Sequence, residues 1–173
     1  RDAANLYSKA VVLDTTDANY FDHLGFAQFN LNNFDSAVVA YKKASELDDN
    51  PTYFVNLGFS YVRMDSVKKS LESFQKALQL MPFDKIGYIY NQIGAVHYSK
   101  NNLKESKKSY EKTLVYNPKN IDAQFYIAMI NDKLNDYKNA SAAYMKVIAL
   151  AKGDSTQTER IKYSDKRIKE LKK

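Results

Sequence analysis

The chain has no cysteine and no tryptophan, and only five glycines and three prolines among its 173 residues. Without cysteine there can be no disulfide, no thiol nucleophile and no zinc site built on thiolates. So few glycines and prolines disfavour the closely spaced turns of a β-sandwich or barrel and point to helix. The composition is 45% apolar and 27% charged. That is too apolar for a disordered chain and suits one domain of ordinary size. No apolar run approaches the roughly 20 residues of a membrane span, and no charged-then-apolar start reads as a signal peptide. Metalloprotease, dinucleotide-binding, Walker and nucleophile-elbow motifs are all missing. The two histidines, His23 and His97, lie far apart. Asp35, Asp48 and Asp49 fall in or near expected turns and read as caps rather than as paired acids. With no ligand cluster for a metal, the expectation is a protein without catalytic residues, cofactor or metal.

The net charge is +6 with a pI near 9.2, and it is unevenly placed. Residues 156–173 carry seven Lys or Arg against three Asp or Glu, whereas the preceding 155 residues are nearly balanced. A nucleic-acid module carries its charge on the folded face that grips phosphate, and this body does not. The basic tail therefore reads first as a solubilising end-helix. Contact with nucleic acid or an anionic membrane through that tail is the lesser alternative.

What is present is a period. Leu24-Gly25, Leu57-Gly58, Ile93-Gly94 and Ile127-Ala128 place a small residue at intervals of 33, 36 and 34. Sixteen residues after each small residue comes an aromatic: Tyr41, Phe74, Tyr110 and Tyr144. Tyr7 lies 34 before Tyr41. Four before each aromatic stand Ala3, Ala37, Ser70, Ser106 and Ala140, and three after stand Ala10, Ala44, Ala77, Thr113 and Val147. Small residues let two helices approach, and the aromatic fills the space between them. A single pair of this size cannot bury enough surface, so the pairs must stack.

These columns resemble the tetratricopeptide repeat (TPR) family, whose 34-residue pattern runs aromatic, Leu-Gly, Tyr, Ala, aromatic, Ala, Pro. The repeats fall at about 18–50, 51–84, 87–120 and 121–154. The second carries the fullest set, with Phe54, Leu57, Gly58, Tyr61, Ser70, Phe74, Ala77 and Pro82. Gln28, His97 and Asn131 depart from the family in the tyrosine column, where His97 is expected to be a satisfied structural histidine. The resemblance implies an all-α fold, a right-handed superhelical solenoid of antiparallel helix pairs. First helices are expected at about 19–31, 52–64, 85–99 and 121–133, and second helices at about 35–47, 67–80, 103–116 and 137–151. Asn32-Asn33, Asp65-Ser66, Asn101-Asn102 and Asn135-Asp136 mark the turns between them. Two extra residues near 83–86 should start the next helix early, with Asp84 as its N-cap and a local change in superhelical pitch.

Residues 1–17 look like the second helix of a preceding repeat, which suggests a longer protein and leaves the compartment open. At the other end, Gly153 should stand at C′ of the last repeat helix. Thr156 and Glu159 should form a capping box, opening a basic capping helix within 155–173 whose apolar stripe is Ile161, Ile168 and Leu171. The excess of Lys over Arg, with 15 Asn and 14 Tyr, suggests an A+T-rich, bacterial genome.

In such a solenoid the first helices line the concave groove. The candidate partner-binding residues are Asp22, Phe26, Phe29, Val55, Asn56, Phe59, Val62, Tyr88, Asn91, Gln92, Tyr98, Phe125 and Met129. Aromatic and apolar anchors with amides between them suit a peptide or partner segment. One family subclass clamps a chaperone's C-terminal carboxylates with Lys, Asn, Asn, Lys and Arg at set positions. Here those positions hold Asp22, Phe26, Asn56, Tyr88 and Gln92. Only Asn56 matches and all three cations are lost, so a chaperone-tail clamp is not expected. The resemblance implies a non-enzymatic scaffold or adaptor for protein–protein interaction. The alternative is a sensory or regulatory segment of a larger protein.

Overall fold

The computed structural model describes residues 2–171. Among them it is all-helical, with no strand. A helix α1 (Asp2–Leu13) precedes four pairs: α2 (Ala18–Asn30) with α3 (Phe34–Leu47), α4 (Pro51–Arg63) with α5 (Val67–Leu80), α6 (Ile86–Ser99) with α7 (Leu103–Tyr116), and α8 (Ile121–Lys133) with α9 (Tyr137–Leu150). A final helix, α10 (Thr158–Glu170), closes the chain. The solenoid of antiparallel helix pairs that the family resemblance implies is present. The chain divides into two compact units, Arg1–Pro82 and Phe83–Lys173. The division falls at the two-residue insertion.

Each pair is held by one close contact. A Cβ placed on Gly25 would lie 2.7 Å from the Tyr41 ring. On Gly58 it would lie 2.6 Å from the Phe74 ring, and on Gly94 2.9 Å from the Tyr110 ring. Those separations are inside van der Waals contact, so only glycine permits these rings to seat. In the fourth pair Ala128 takes the glycine's place, fully buried, with Tyr144 opposite. The small-residue column (Ala37, Ser70, Ser106, Ala140) and the column after the ring (Ala44, Ala77, Thr113, Val147) are buried throughout. Ser106 also ties its pair together, its hydroxyl donating to the Gly94 carbonyl at 2.8 Å. On α1 the equivalent Ala3 is exposed and Ala10 half-buried, and Leu6 and Leu13 are open to solvent.

The corners repeat as closely as the cores. Asn32, Asp65, Asn101 and Asn135 all adopt left-handed φ, between 56° and 61°. Asn and Asp tolerate that region better than other residues bearing a Cβ. The next residue then donates its amide back to the tyrosine-column carbonyl: Asn33 to Gln28, Ser66 to Tyr61, Asn102 to His97 and Asp136 to Asn131, at 2.8–2.9 Å. This is a Schellman closure with Asn or Asp in place of glycine. The first helices of three repeats open on a side-chain cap from Asp17, Asn50 or Asn120.

The insertion behaves as its length requires. α6 begins eight residues before Gly94, whereas the other three first helices begin seven before their small residue. Asp84, however, is not its N-cap. It lies inside a 3-10 turn over Phe83–Lys85, and Lys85 stands at the cap without a side-chain bond. The expected capping box at Thr156 and Glu159 is also replaced. Asp154 accepts from the Thr156 amide at 2.9 Å and starts a 3-10 turn, Ser155–Gln157, so α10 begins at Thr158, one residue later than a Thr156 cap would start it. The shorter Asp side chain reaches the free amide first. Gly153 does turn left-handed, with φ 87°, but two residues beyond the C-cap Ala151 rather than one.

Gly58→Ala is expected to destabilise the fold by about 1–3 kcal/mol, the range for overpacking a rigid ring contact. Asn101→Val should cost about 1–2 kcal/mol at its left-handed corner, while Asn101→Gly should be neutral or better. Urea unfolding of the three variants beside wild type checks both values.

Candidate functional site

In the first unit the expected site residues lie on α2 and α4. Phe26 is 60% exposed and Val62 40%. Asp22, one turn before Phe26 on the same helix face, is half-buried, and its Oδ1 accepts from Asn56 Nδ2 at 3.1 Å. That bond joins the two first helices. Burial pushes the Asp22 carboxyl above its ordinary pKa, and the Asn56 bond and nearby His23 only partly offset it. Phe59 is half-buried and packs edge-on to Phe74 at 5.5 Å between ring centres. Phe29 packs on Phe34 at 5.4 Å. Val55 is 7% exposed, so its side chain belongs to the core and is withdrawn from any surface. Its column points inward here because α4 carries core residues over most of its circumference.

The charged neighbours of this face are committed elsewhere. Arg63 donates to Asn32 at 3.0 Å and lies 4.5 Å from the Phe34 ring centre. His23 stacks on Tyr7 of α1 at 5.0 Å, and its Nδ1 lies 2.6 Å from the Asn19 carbonyl.

In the second unit the picture differs. Tyr88 is 51% exposed, and Asn91 and Gln92 are half-buried. The Asn91 Oδ1 is buried without a hydrogen-bond partner. Tyr98 packs edge-on to Tyr126 at 5.0 Å, with the Lys133 ammonium 4.4 Å from its ring centre. Met129 and Phe125 pack against the core of this unit. Phe125 also meets Tyr163 of α10 at 5.7 Å, and the Arg160 guanidinium lies 5.6 Å from its ring centre. Arg160 pairs with Asp122. Arg167 forks onto Asp132, Nε to Oδ2 at 2.6 Å and Nη2 to Oδ1 at 2.9 Å. The face of α8 that was expected to be open is therefore largely engaged by α10.

Sequence reasoning missed Arg160, Tyr163 and Arg167. The apolar stripe it identified is real: Ile168 is buried and Leu171 packs on the core, with Ser164 fully buried between Ile161 and Ile168. The missed residues form the adjacent stripe. Two of only four arginines in the chain stand seven apart there, with an aromatic between them, and that spacing was the available signal. Arg160, Lys162, Lys166, Arg167 and Lys169 are all ion-paired within the protein. Each cation of α10 among the described residues thus has a carboxylate partner, two of them, Asp122 and Asp132, on α8; Lys172 and Lys173 lie outside the described residues.

The tyrosine column also departs from expectation. His97 Nδ1 and Asn131 Oδ1 are buried without partners, so His97 is not the satisfied histidine expected there. A tyrosine would carry its hydroxyl further along the helix pair than these shorter side chains reach. Among the described residues no group of three or more His, Asp or Glu could hold a metal. No described helix is long and apolar enough to cross a membrane.

A stack of helix pairs, each closed by a glycine or alanine against a ring, defines a helical-repeat protein. The Tetratricopeptide repeat family matches residues 18–51, 87–120 and 121–154, more than half of the chain. The chain belongs to that family. Repeat two lies outside the matched ranges, yet it has the same glycine-on-ring contact and the same corner. A curated relative is the small glutamine-rich tetratricopeptide repeat-containing protein 2 of Mycosarcoma maydis, 23% identical over 75% of this chain. The chain spans only 36% of that relative's length. Among solved structures, MamA is 19% identical with a TM-score of 0.81, covering 88% of this chain and 89% of that one. The first TPR of Spaghetti (RPAP3), solved with the HSP90 peptide SRMEEVD, is 25% identical with a TM-score of 0.62, covering 70% and 96%. These likenesses show the fold of a tetratricopeptide-repeat protein.

Two outcomes follow. Asp22 has a raised pKa in the folded state, so ionising it opposes folding. Asp22→Asn should therefore stabilise the protein at neutral pH. The gain should shrink as pH falls through the carboxylate range and vanish once wild-type Asp22 is protonated, as urea melts across that range would show. Arg167→Ala should leave Asp132 poorly compensated and loosen α10. Hydrogen exchange should quicken over 158–170 and stay unchanged over 2–82; unchanged exchange in α10 would mean that Ile168 and Leu171 hold it unaided.

Proposed function

We propose that the protein is a scaffold or adaptor that binds a peptide or partner segment on the first-helix face of its first unit. The observation that carries this reading is the exposed Phe26, beside Val62 and the hydrogen-bonded Asp22–Asn56 pair. An exposed aromatic flanked by oriented polar groups supplies contact area at low entropy cost and a fixed direction for hydrogen bonds. The corresponding face of α8 is partly occupied by α10, which makes the first unit the better candidate.

A chaperone C-terminal tail is a poor occupant. Such a tail ends in carboxylates, and the relative solved with SRMEEVD is a different chain. Here the residue in the position of the clamp's first lysine is Asp22, a carboxylate, and Asn56 already donates to it. The paired cations of α10 give no support to a phosphate-gripping tail.

A photoreactive phenylalanine analogue placed at position 26 tests the site. The control is the same analogue at position 39, which is Val39 in the native chain, on a second helix and 69% exposed. Irradiation in a lysate of the source cell should give a discrete adduct at position 26 that is absent at 39. Adducts at 39 alone would move the binding surface to the second helices and sink the proposal. Phe26→Asp, checked for unchanged helicity, should weaken binding of the captured partner about tenfold or more, as expected for a central anchor.

A further inference from the structure

Three carboxylates stand on the candidate first-helix surface: Asp22 on α2, and Asp122 and Asp132 on α8. The two on α8 are each met by an arginine of α10, and Asp132 also accepts from the Tyr144 hydroxyl. Arg160 pairs with Asp122 while its guanidinium lies over the Phe125 ring, and Tyr163 packs on that same ring. Arg167 grips Asp132 through two parallel bonds. The chain's own last helix thus displays the chemistry that satisfies a carboxylate–aromatic pair on a first helix: a guanidinium for the acid and an apolar or aromatic side chain for the ring.

The first unit also sets an acid beside a ring, but in a different register: counted from the small residue of each repeat, Asp22 falls in the column of Phe125 and Phe26 in that of Met129. Asp22 stands one turn before the exposed Phe26. Its partner is the neutral Asn56, and among the described residues no lysine or arginine pairs with it. Every group around it is neutral or already engaged. Tyr41 and Tyr53, which its charge reaches, are buried phenols held protonated by that burial. His23 is stacked on Tyr7 and bonded to the Asn19 carbonyl. Arg63 is held by Asn32 and the Phe34 ring. A half-buried carboxylate with one neutral donor is under-compensated, and a cation arriving with a ligand would supply a charge-assisted bond in a partly desolvated place. An acidic segment would meet like charge and be turned away.

We propose that the first-helix face of the first unit selects segments presenting an arginine or lysine beside an apolar side chain, with Asp22 choosing the charge and Phe26 receiving the apolar group. The proposal rests on the reading that this face is the binding surface, and it names the chemistry of the occupant.

The test uses a random dodecapeptide library displayed on phage, panned on the whole chain. Wild type, Asp22→Asn, Asp22→Lys and Phe26→Asp are compared after circular dichroism has shown equal helicity. Wild type should enrich peptides with Arg or Lys at a fixed spacing from Phe, Tyr or Leu. A synthetic peptide of that consensus should bind Asp22→Asn at least about tenfold more weakly. The pool selected by Asp22→Lys should shift to acidic residues at the same spacing, and Phe26→Asp should lose the consensus. A neutral or acidic wild-type consensus, or a basic one unchanged in Asp22→Lys, overturns the charge assignment. If that consensus still disappears in Phe26→Asp, the surface itself stands and only its charge preference falls. Peptides indifferent to both positions, or no enrichment above the bare support, sink the surface and the charge preference together.

Discussion

The whole architecture depends on how closely two helices can approach. Glycine on the first helix removes the one carbon that would otherwise strike the ring on the second, and the ring then fills the space with no gap. Every other regularity follows from that contact. The small residues one turn either side of the ring are buried because the backbones are already near. The corner must reverse the chain within a few residues to bring the ring opposite the glycine. A left-handed Asn or Asp does this, and the amide after it returns to a carbonyl of the first helix. The fourth pair shows how much tolerance the arrangement has: Ala128 is accepted in the glycine's place, buried against Tyr144.

The function follows from what packing leaves over. A first helix spends one face on its own partner and others on the neighbouring helices, and only the remainder can meet another protein. On α4 so much of the circumference is spent that Val55 is in the core. On α2 Phe26 remains outside. On α8 the remainder exists but is met by α10, whose arginines and tyrosine engage the same acids and ring that a partner would use. Thus one repeating frame yields an open surface in the first unit and a largely engaged one at the last repeat.

The polar residues record where the pattern is imperfect. Replacing the column tyrosine with His97 or Asn131 leaves a buried polar atom without a partner, whereas Gln28, in the same column, accepts from Asn33 at 2.9 Å. Those positions keep the backbone closure of the corner, because that bond uses the carbonyl and is blind to the side chain. The family pattern can therefore tolerate such departures without losing the fold.

Pairing, spacing and corner positions were legible in the residues themselves. They depend on contacts between positions a fixed distance apart along one chain, and a period in the sequence is that distance written down. The helix bounds came within a residue or so for the same reason. The caps at Asp84 and Thr156 were misjudged for different reasons: a 3-10 turn takes Asp84 into its own backbone and leaves α6 without a side-chain cap, whereas Asp154 takes the Thr156 amide. The candidate surface was legible only as a set of columns. Which members stayed outside, as Phe26 did, which were buried, as Val55 was, and which were met by Arg160 and Arg167 depended on contacts between helices that share no period. Such contacts are set by side-chain volume and charge in three dimensions, and only the tertiary structure decided them.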